Sequence, residues 1–432
     1  MRKTIRFTVS DIPNFKANLL EWSRQFDEVA WLDSNGHENP HKSFDALMAV
    51  DGLTAISTDA HNGFADLAEY QAQVKDWIFG YVSYDLKNDT EHLSSKNFDG
   101  LEFPELYFFQ PKKIIGIQGN EVQFSYLNMV DDEIQVDFEE LSNGITQTKL
   151  NTASIGDVHI KMRIFKDEYF SKVNQMLQHI HKGDIYEANF CQEFYVEDLQ
   201  LDALHTYKKL NAISKSPFAS YLKLFDKSLM CASPERYLKK TGTKVISQPI
   251  KGTAPRSKNA VTDEQNSKNL QTDEKERSEN IMIVDLVRND LSKSALKGSV
   301  VVDELCKVYS FDQVHQMIST ISATVPDNTD PIRLLRETFP MGSMTGAPKV
   351  SAMKIIEELE SFKRGVYSGT VGYFTPEGDF DFNVVIRSIL YNETKKYVSY
   401  AVGSAITAKS VPEKEYQECL LKAKAMRQVL EE

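Results

Sequence analysis

The chain has 432 residues, which is enough for one large domain or for two to three ordinary ones. Its 62 acidic side chains against 50 basic ones give a formal net charge of −12, and basic residues form no continuous block, so a nucleic-acid partner is disfavoured. No apolar stretch approaches the length of a membrane span, and Asp11 and Pro13 interrupt the N-terminus before a signal-like run can form, so we expect a cytoplasmic protein without a membrane partner.

Short alternating segments dominate the first part of the chain. Residues 112–127, KKIIGIQGNEVQFSYL, carry a Gly-Asn turn signal between two alternating runs, which predicts a β-hairpin. The polar stretch at residues 141–157 looks like a connection across the fold. We therefore divide the chain into residues 1–150 and residues 151–432, and we expect the two parts to form one intertwined domain.

The second part begins with a helix and continues as strands. Apolar side chains recur at helical spacing between Phe170 and Ile180, and Gly183 supplies a stop signal. Residues 185–196 then alternate partly, and residues 219–233 have the pattern of two strands around a polar turn. Antiparallel pairing is the simplest arrangement for these strands.

Three further helices are predicted. Residues 272–293 open with a hydroxyl and acidic side chains, which favour a helix N-terminus, before an apolar run that predicts a buried second half. Two more helices begin at Pro348 and at Pro412, because the first turn of a helix tolerates proline. The stretch between them is rich in strand formers and broken by turns.

Two pairs of glutamates share one spacing. Glu276 and Glu279 are three residues apart on one predicted helix, and so are Glu415 and Glu418 on another, which places each pair on one helical face. Carboxylates without histidine or thiolate suit a hard cation, above all Mg²⁺. The alternative for either pair alone is an ordinary solvated helical face.

A glycine-containing loop precedes the helix at Pro348. The free amides of Thr345, Gly346 and Ala347 would lie just before that helix, where an anion such as a carboxylate binds well. The loop is not a nucleotide-binding P-loop, because Pro348 separates it from Lys349 and no hydroxyl residue follows the lysine. The alternative is an ordinary loop before a helix.

Two further polar residues interrupt apolar surroundings. Arg387 stands within an apolar strand pattern, where an inward-facing guanidinium needs a partner such as a substrate carboxylate. An arginine on the exposed side of the strand is the alternative. His315 is either a histidine satisfied within the interior or a catalytic group.

Lys251 lies in the stretch SQPIKGTAPR, which has the composition of a turn. Lys251 can act as a nucleophile only when its amine has lost its proton. The close packing and apolar neighbours of the loop favour this uncharged form. Glu235, in ASPERYL, follows a predicted strand, where a carboxylic acid with a raised pKa can donate a proton to a leaving hydroxyl. The alternative for Lys251 is a solvent-exposed turn lysine.

Six motifs occur in one order over residues 161–432: SPER, PIKGTAPR, ERSENIMIVDLVRNDL, GSMTGAPK, SGTVGYF with a following IRS, and EYQECLLKA. This series strongly resembles the chorismate-utilising enzymes, and most closely the branch that forms aminodeoxychorismate. Over residues 1–150 the likeness is looser and is carried mainly by WLDSNG and GYVSYDL. The resemblance implies an α/β (α+β) fold in which two antiparallel β-sheets face each other, with helices outside and the active site in a cleft.

The resemblance also implies a magnesium site. Glu279 and Glu418 match the direct Mg²⁺ ligands of the family, and Glu276 and Glu415 match their water-mediated companions. The metal would hold the ring carboxylate of chorismate.

Contacts to chorismate are implied in the same way. Tyr367, Arg387 and Lys422 match positions that grip substrate carboxylates. Further matches are the ring contacts Thr345, Gly346 and Gly403, the histidine beside the ring, His315, and the general acid that expels the C4 hydroxyl, Glu235.

Lys251 separates two branches of the family. Anthranilate synthases carry alanine at this position, which leaves room for ammonia to attack C2 directly. In the aminodeoxychorismate-forming enzymes the lysine is thought to attack C2 itself, and ammonia then displaces it by adding at C4. The resemblance therefore implies that Lys251 is the nucleophile.

Two positions depart from the family pattern. Glu187 stands where the ammonia-using enzymes usually have glutamine and where isochorismate and salicylate synthases have a lysine that activates water, so the latter two activities are disfavoured. Ala405 stands where glycine is usual, and its extra methyl group narrows the space near the ring.

The implied reaction converts chorismate and ammonia to 4-amino-4-deoxychorismate, on the route to 4-aminobenzoate and folate. The sequence shows no glutaminase motif, so ammonia from glutamine implies a separate glutamine amidotransferase subunit. The alternative within the family is anthranilate synthase component I.

An amino-acid pocket is implied in the N-terminal half. In relatives this half holds tryptophan, and Ser34, Pro217 and Phe218 stand at matching positions. The alternative from another class is a protein that binds chorismate or an amino acid without catalysis.

Overall fold

Two long runs of antiparallel strands organise the chain. The computed structural model describes residues 1–145, 158–311 and 314–432. The proposed boundary at residue 150 and most of the predicted polar connection lie outside the described residues, so both stay predictions.

The described residues form these strands: β1 (Arg2–Thr8), β2 (Glu28–Asp33), β3 (Ala46–Thr58), β4 (Ile78–Val82), β5 (Leu106–Gln118), β6 (Glu121–Leu127), β7 (Lys161–Met162), β8 (Glu187–Val196), β9 (Phe218–Leu224), β10 (Lys227–Ser233), β11 (Arg236–Thr241), β12 (Lys244–Gln248), β13 (Ile250–Pro255), β14 (Val301–Ser310), β15 (Val314–Thr324), β16 (Gly346–Ala347), β17 (Thr370–Phe374), β18 (Phe380–Asn383), β19 (Ser388–Asn392) and β20 (Tyr397–Thr407).

They also form these helices: α1 (Ile12–Trp22), α2 (Gly63–Val74), α3 (Lys87–Thr90), α4 (Ile134–Asn143), α5 (Lys166–Lys182), α6 (Ala203–Ser214), α7 (Ala260–Thr272), α8 (Glu274–Ser292), α9 (Pro331–Thr338), α10 (Lys349–Leu359) and α11 (Pro412–Glu431).

Both runs are antiparallel throughout. The first follows the order β1-β6-β5-β3-β2-β9-β10-β19-β20-β8. The second follows the order β4-β17-β18-β11-β12-β15-β14, and β13 also pairs with β15. Strand β5 joins the runs, because one half of it pairs with β4 and the other half with β6.

Two hydrophobic cores fix the layers. One core contains Leu222 and Leu229 of the first run together with Leu238 and Phe374 of the second, so the two sheets pack face to face. The other core joins the opposite face of the first run to helices that include α1, α5, α6 and α11. The predicted α/β fold, with two facing antiparallel sheets and helices outside, is confirmed.

Most of the elements predicted from local patterns are present. The hairpin at residues 112–127 is β5 and β6, and the helix ending at Gly183 is α5, with that glycine in the left-handed conformation. Two helix starts differ: Asp273 caps α8 with its side chain, and Pro348 is the residue before α10 rather than its first residue. A carboxylate at the N-cap accepts backbone N–H groups, which explains the first difference.

The two halves of the chain interleave within these sheets. Strand β2 pairs with β9, and β4 pairs with β17, so strands from the first 145 residues depend on partners far along the chain. Over the three described ranges, no helix has both the length and the apolar character needed to cross a bilayer.

Candidate active site

Lys251 lies in a β-bulge, so the predicted turn is wrong. Strand β13 pairs with β15, but the register shifts between Ile250 and Thr253. Gly252 has a backbone φ of +88°, which residues with a side chain rarely adopt, and a Cβ there would lie 3.1 Å from a carboxylate oxygen of Glu276 on α8. A β-bulge changes the direction of the neighbouring side chain, and this bulge lies directly against α8.

The Lys251 amine is buried against a carboxylate. Its side chain is 12% exposed, and its Nζ lies 3.2 Å from Oε1 of Glu187 at the start of β8. Burial by itself would lower the pKa of this amine, but the charges of Glu187, Glu279 and Glu235 outweigh burial and hold the pKa above the usual lysine value. The expectation of an uncharged amine is therefore not met in this structure, because acidic groups distant in sequence surround it.

Glu235 occupies the corner between β10 and β11. The hydroxyl of Ser233 accepts a hydrogen bond from its amide, and its carbonyl accepts one from the amide of Val384. Burial raises the pKa of its carboxyl to about 7, although the Ser343 hydroxyl and the charge of Lys251 act in the opposite direction. At neutral pH the group is divided between acid and carboxylate, which suits a proton donor.

The structure brings the two glutamate pairs together around one ammonium group. Helix α8 carries Glu276 and Glu279, and α11 carries Glu415 and Glu418. The Nζ of Lys275 lies 3.7 Å from Oε1 of Glu279 and 3.5 Å from Oε1 of Glu415. Burial lowers the pKa of Lys275, but the charges of all four glutamates outweigh it and raise the pKa overall.

This acidic cluster has the chemistry of a hard-cation site. Burial raises the pKa of Glu279 to about 7, and its buried Oε1 has no hydrogen-bond partner among the described residues. Oε2 of Glu415 accepts a hydrogen bond from Ser404. In the described part of the chain, no three acidic, histidine or cysteine side chains already have the arrangement of a metal site. The residues fit Mg²⁺ as oxygen donors, provided that the Lys275 ammonium moves away.

The loop before α10 is joined to the sheet. The amide of Thr345 donates to the carbonyl of Gly342 over 3.2 Å, and the Thr345 carbonyl accepts from the amide of Asn189 over 2.7 Å. Gly346 and Ala347 form β16, which pairs with β8. The predicted row of free amides is therefore wrong at Thr345, because its N–H is already used within the loop.

Arg387 lies at the bend immediately before β19, so it does not interrupt a strand as predicted. Its backbone φ is +52°. Within the described ranges its guanidinium has no hydrogen bond or ion pair; burial lowers its pKa, and the charge of Glu235 opposes that effect. Tyr367 is buried, with its hydroxyl 4.0 Å from Sγ of Cys191. The guanidinium thus has donors to offer beside Glu235.

Lys422 ties α11 to the sheet. Its Nζ donates to the carbonyl of Gly403 on β20 over 2.9 Å and lies 2.7 Å from Oε1 of Glu418. Burial would raise the pKa of Glu418, but Lys422 lowers it overall. A side chain at Gly403 would force its neighbours to shift, since a Cβ would lie 2.7 Å from the side chains of both Asn189 and Cys191.

His315 uses both ring nitrogens within the protein. Nδ1 lies 2.8 Å from the hydroxyl of Ser310 on β14, and Nε2 lies 3.1 Å from Oδ1 of Asp263 on α7. The residue is 1% exposed. It therefore links β14, β15 and α7 in this structure, and its role beside a substrate ring stays a prediction.

The three residues matched to a tryptophan pocket lie together. Ser34, Pro217 and Phe218 line one cavity at the ends of β2 and β9, which also contains charged side chains of both signs: Asp33, Lys42, Asp45, Arg236 and Asp381. The hydroxyl of Ser34 is buried and has no hydrogen-bond partner in the part of the chain that is described. Lys42 is paired with Asp45 and Arg236 with Asp381, so a zwitterionic ligand would have to bind beside these ion pairs.

The sequence analysis missed a buried ion pair that supports the site. Arg364 and Glu360 approach to 2.6 Å, and Arg364 also donates to the carbonyls of Met344 and Asn189, each over 2.7 Å. Glu360 accepts from the amide of Cys191 over 2.8 Å. The pair thus fixes β8 against the loop before α10. No helical spacing could have indicated it, because Glu360 and Arg364 both lie beyond the end of α10.

Known proteins are similar to this chain in sequence. A family model described as chorismate binding enzyme matches residues 24–428. The chain is 34% identical to an anthranilate synthase component I-like protein of Synechocystis over 356 residues, which cover 82% of this chain and 72% of that protein. It is 31% identical to aminodeoxychorismate synthase component 1 of Bacillus subtilis over 410 residues, which cover 92% and 84%.

A solved structure supports the fold alone. The crystal structure of anthranilate synthase component I from Streptococcus pneumoniae superposes with a TM-score of 0.78 at 24% sequence identity. The match covers 90% of this chain and 95% of that one.

Proposed function

This chain belongs to the family of chorismate binding enzymes, and on that premise we propose that it converts chorismate and ammonia to 4-amino-4-deoxychorismate. The observation that carries the proposal is Lys251, a buried lysine held in a bulge between carboxylates at the centre of the site. Relatives named aminodeoxychorismate synthase component 1, such as the protein from Bacillus subtilis, support it.

In the proposed reaction the neutral Lys251 amine attacks C2 of chorismate. The ring double bonds shift, the bond from C4 to its hydroxyl breaks, and Glu235 supplies the proton with which that hydroxyl leaves as water. Ammonia then adds at C4, the double bonds shift back, and the bond between C2 and the lysine nitrogen breaks. Lys251 is thereby regenerated, and the product carries the amino group at C4.

Other side chains of the site would bind and orient the substrate. The unused donors of Arg387 lie near Glu235, where a substrate carboxylate would pair with them. Glu279 and Glu418 would hold Mg²⁺ directly, with Glu276 and Glu415 acting through water. The metal, when bound, supplies a fixed positive charge for the ring carboxylate.

We further propose that ammonia reaches the site from a separate glutamine amidotransferase subunit. The designation component 1 in the names of relatives supports such a partner. The four cysteines are free and buried, which fits a reducing compartment such as the cytoplasm.

Anthranilate synthesis is the second candidate, because the Synechocystis relative is named as similar to anthranilate synthase component I. Lys251 disfavours it, since the amine fills the space beside α8 that ammonia would need. Chorismate that binds without being consumed, in the presence of Mg²⁺ and excess ammonium, would instead favour a binding protein.

Intact-mass spectrometry tests the central step. The protein is incubated with chorismate and Mg²⁺ without ammonia, and we expect a covalent adduct in the wild type and none in Lys251→Ala. Lys244→Ala, at an exposed lysine on neighbouring β12, is the matched control and should retain the adduct. Absence of any adduct under trapping conditions, or anthranilate as the product after an ammonium salt is added, would contradict the proposal.

A further inference from the structure

In the described part of the chain, Glu187 is a buried side chain with a hydrogen-bond partner for only one of its two carboxylate oxygens. It is 1% exposed, and its Oε1 contacts Nζ of Lys251. Its Oε2 is also buried and has no hydrogen-bond partner among the residues that the structure describes. A carboxylate kept for structural reasons alone has its buried oxygens satisfied, because an unpaired one is costly. The free oxygen therefore points to a function at Lys251.

Several acidic groups surround Lys251, but they differ in what else they do. The glutamates whose charges interact with the charge of Lys251 are Glu187, Glu279, Glu235, Glu276 and Glu418. Glu276, Glu279 and Glu418 belong to the cluster around Lys275, and Glu235 is the proton donor of the proposed reaction. Glu187 has no other assigned task, and among the described residues it is the acidic side chain within hydrogen-bond distance of the amine, at 3.2 Å.

We propose that Glu187 is the base that removes the proton from Lys251 before the amine attacks chorismate, and that returns the proton when the amine is released. This inference rests on the proposed function, since it concerns the covalent step at Lys251. It makes Glu187 a catalytic residue, because it touches the reacting nitrogen.

The proton balance is closed within the pair. One N–H bond of the Lys251 ammonium breaks and an O–H bond forms on Glu187, which leaves a neutral amine beside a neutral acid. Because the charge of Glu187 stabilises the ammonium at rest, this transfer is uphill and is drawn forward by formation of the bond to C2. The nitrogen lone pair then forms the bond to C2 while Glu235 protonates the departing hydroxyl. When ammonia adds at C4, Lys251 leaves as a neutral amine and recovers its proton from Glu187. The ammonium group formed at C4 gives one proton back to Glu235, so that all three side chains return to their starting protonation states.

The glutamate at position 187, where relatives usually have glutamine, allows a proton transfer that glutamine does not. A glutamine amide cannot accept a proton, so a chain with glutamine at this position must release the lysine proton to solvent or to another group. Glu187→Gln therefore creates the family-like situation with almost no change in shape. It tests proton transfer rather than packing.

The test is the rate of adduct formation in a single turnover with chorismate and Mg²⁺, followed by quenching and intact-mass analysis at several pH values. Near neutral pH we expect Glu187→Gln to be slower than wild type by about 10²-fold, the usual size of a lost general base. The ratio of the variant rate to the wild-type rate should rise with pH, because the variant's amine loses its proton to solvent. This ratio cancels the contribution of Glu235, which both proteins share.

Two further variants control the experiment. Glu187→Asp should recover part of the neutral rate, because it restores a carboxylate. Glu197→Gln, at an exposed glutamate just beyond β8, should behave as wild type. Melting temperatures of all variants establish that they are folded.

The outcomes separate the two proposals. A ratio that stays constant with pH, whether near one or uniformly low, would overturn the role of Glu187 as a base while the Lys251 adduct stands. A wild-type protein that forms no adduct would overturn the covalent step itself, and with it the inference.

Discussion

Glu235→Gln should change how stability depends on pH. The carboxyl is 4% exposed, and burial raises its pKa from 4.5 to about 7. Below the ordinary value it is neutral in both the folded and the unfolded chain. As the pH rises towards 7, the unfolded chain ionises first, so the wild type loses stability by about 3 kcal/mol in total.

Glutamine is neutral at every pH and nearly the same shape. We therefore expect Glu235→Gln to match wild type at about pH 4 and to exceed it by up to about 3 kcal/mol at about pH 8. The free energy of unfolding, measured by urea denaturation of both proteins across this range, is the test. Glu377→Gln, at an exposed glutamate, is the control.

The catalytic activity of Glu235→Gln should be lower than that of wild type, although its stability near pH 8 is higher. The amide has no acidic proton, so amination should fall by about 10² to 10⁴-fold as stability rises. A stability difference that does not vary with pH, or a variant less stable than wild type at about pH 8, would refute the assigned burial effect.

Three other changes have expected results. Lys275→Met should bind Mg²⁺ or Mn²⁺ more tightly than wild type in calorimetry without chorismate, because no ammonium has to be displaced. Lys275→Arg should bind the metal as wild type does. Equal metal affinities of Lys275→Met and wild type would contradict this expectation. Tryptophan should bind the wild type in calorimetry and not Ser34→Leu, whose larger side chain fills the cavity; binding to both would place the ligand elsewhere. Arg364→Lys should lower the free energy of unfolding in urea by about 3 kcal/mol, because lysine cannot replace the two-pronged contact with Glu360; an unchanged value would show that the pair is dispensable.

Local patterns predicted the local elements well. The hairpin of β5 and β6 and helix α5 depend on neighbouring residues, so periodicity and turn signals were sufficient. A turn was predicted around Lys251 instead of a bulged strand, because proline, glycine and threonine occur in both. The bulge depends on pairing with β15, which lies more than fifty residues away along the chain.

The site was harder to predict because its charges meet across the fold. Their spacing indicated the two glutamate pairs and the resemblance implied their roles, but no local signal placed the Lys275 ammonium between them. The charge state of Lys251 depends on Glu187, which is brought close by β8. The amide of Thr345 was expected to be free, and only the folded loop shows that it is already bonded to Gly342.

The interleaving of the sheets has a consequence for synthesis. On the ribosome, β2 can pair with β3 on one edge, but its other edge stays unpaired until β9 has been made. In the same way, β4 can pair with β5, but its other edge stays unpaired until β17 at Thr370–Phe374 has been made. Helix α11, with its acidic pair, is translated after all of these strands. The nascent chain therefore exposes unpaired strand edges until these late strands are made, and such edges are prone to pair with other chains.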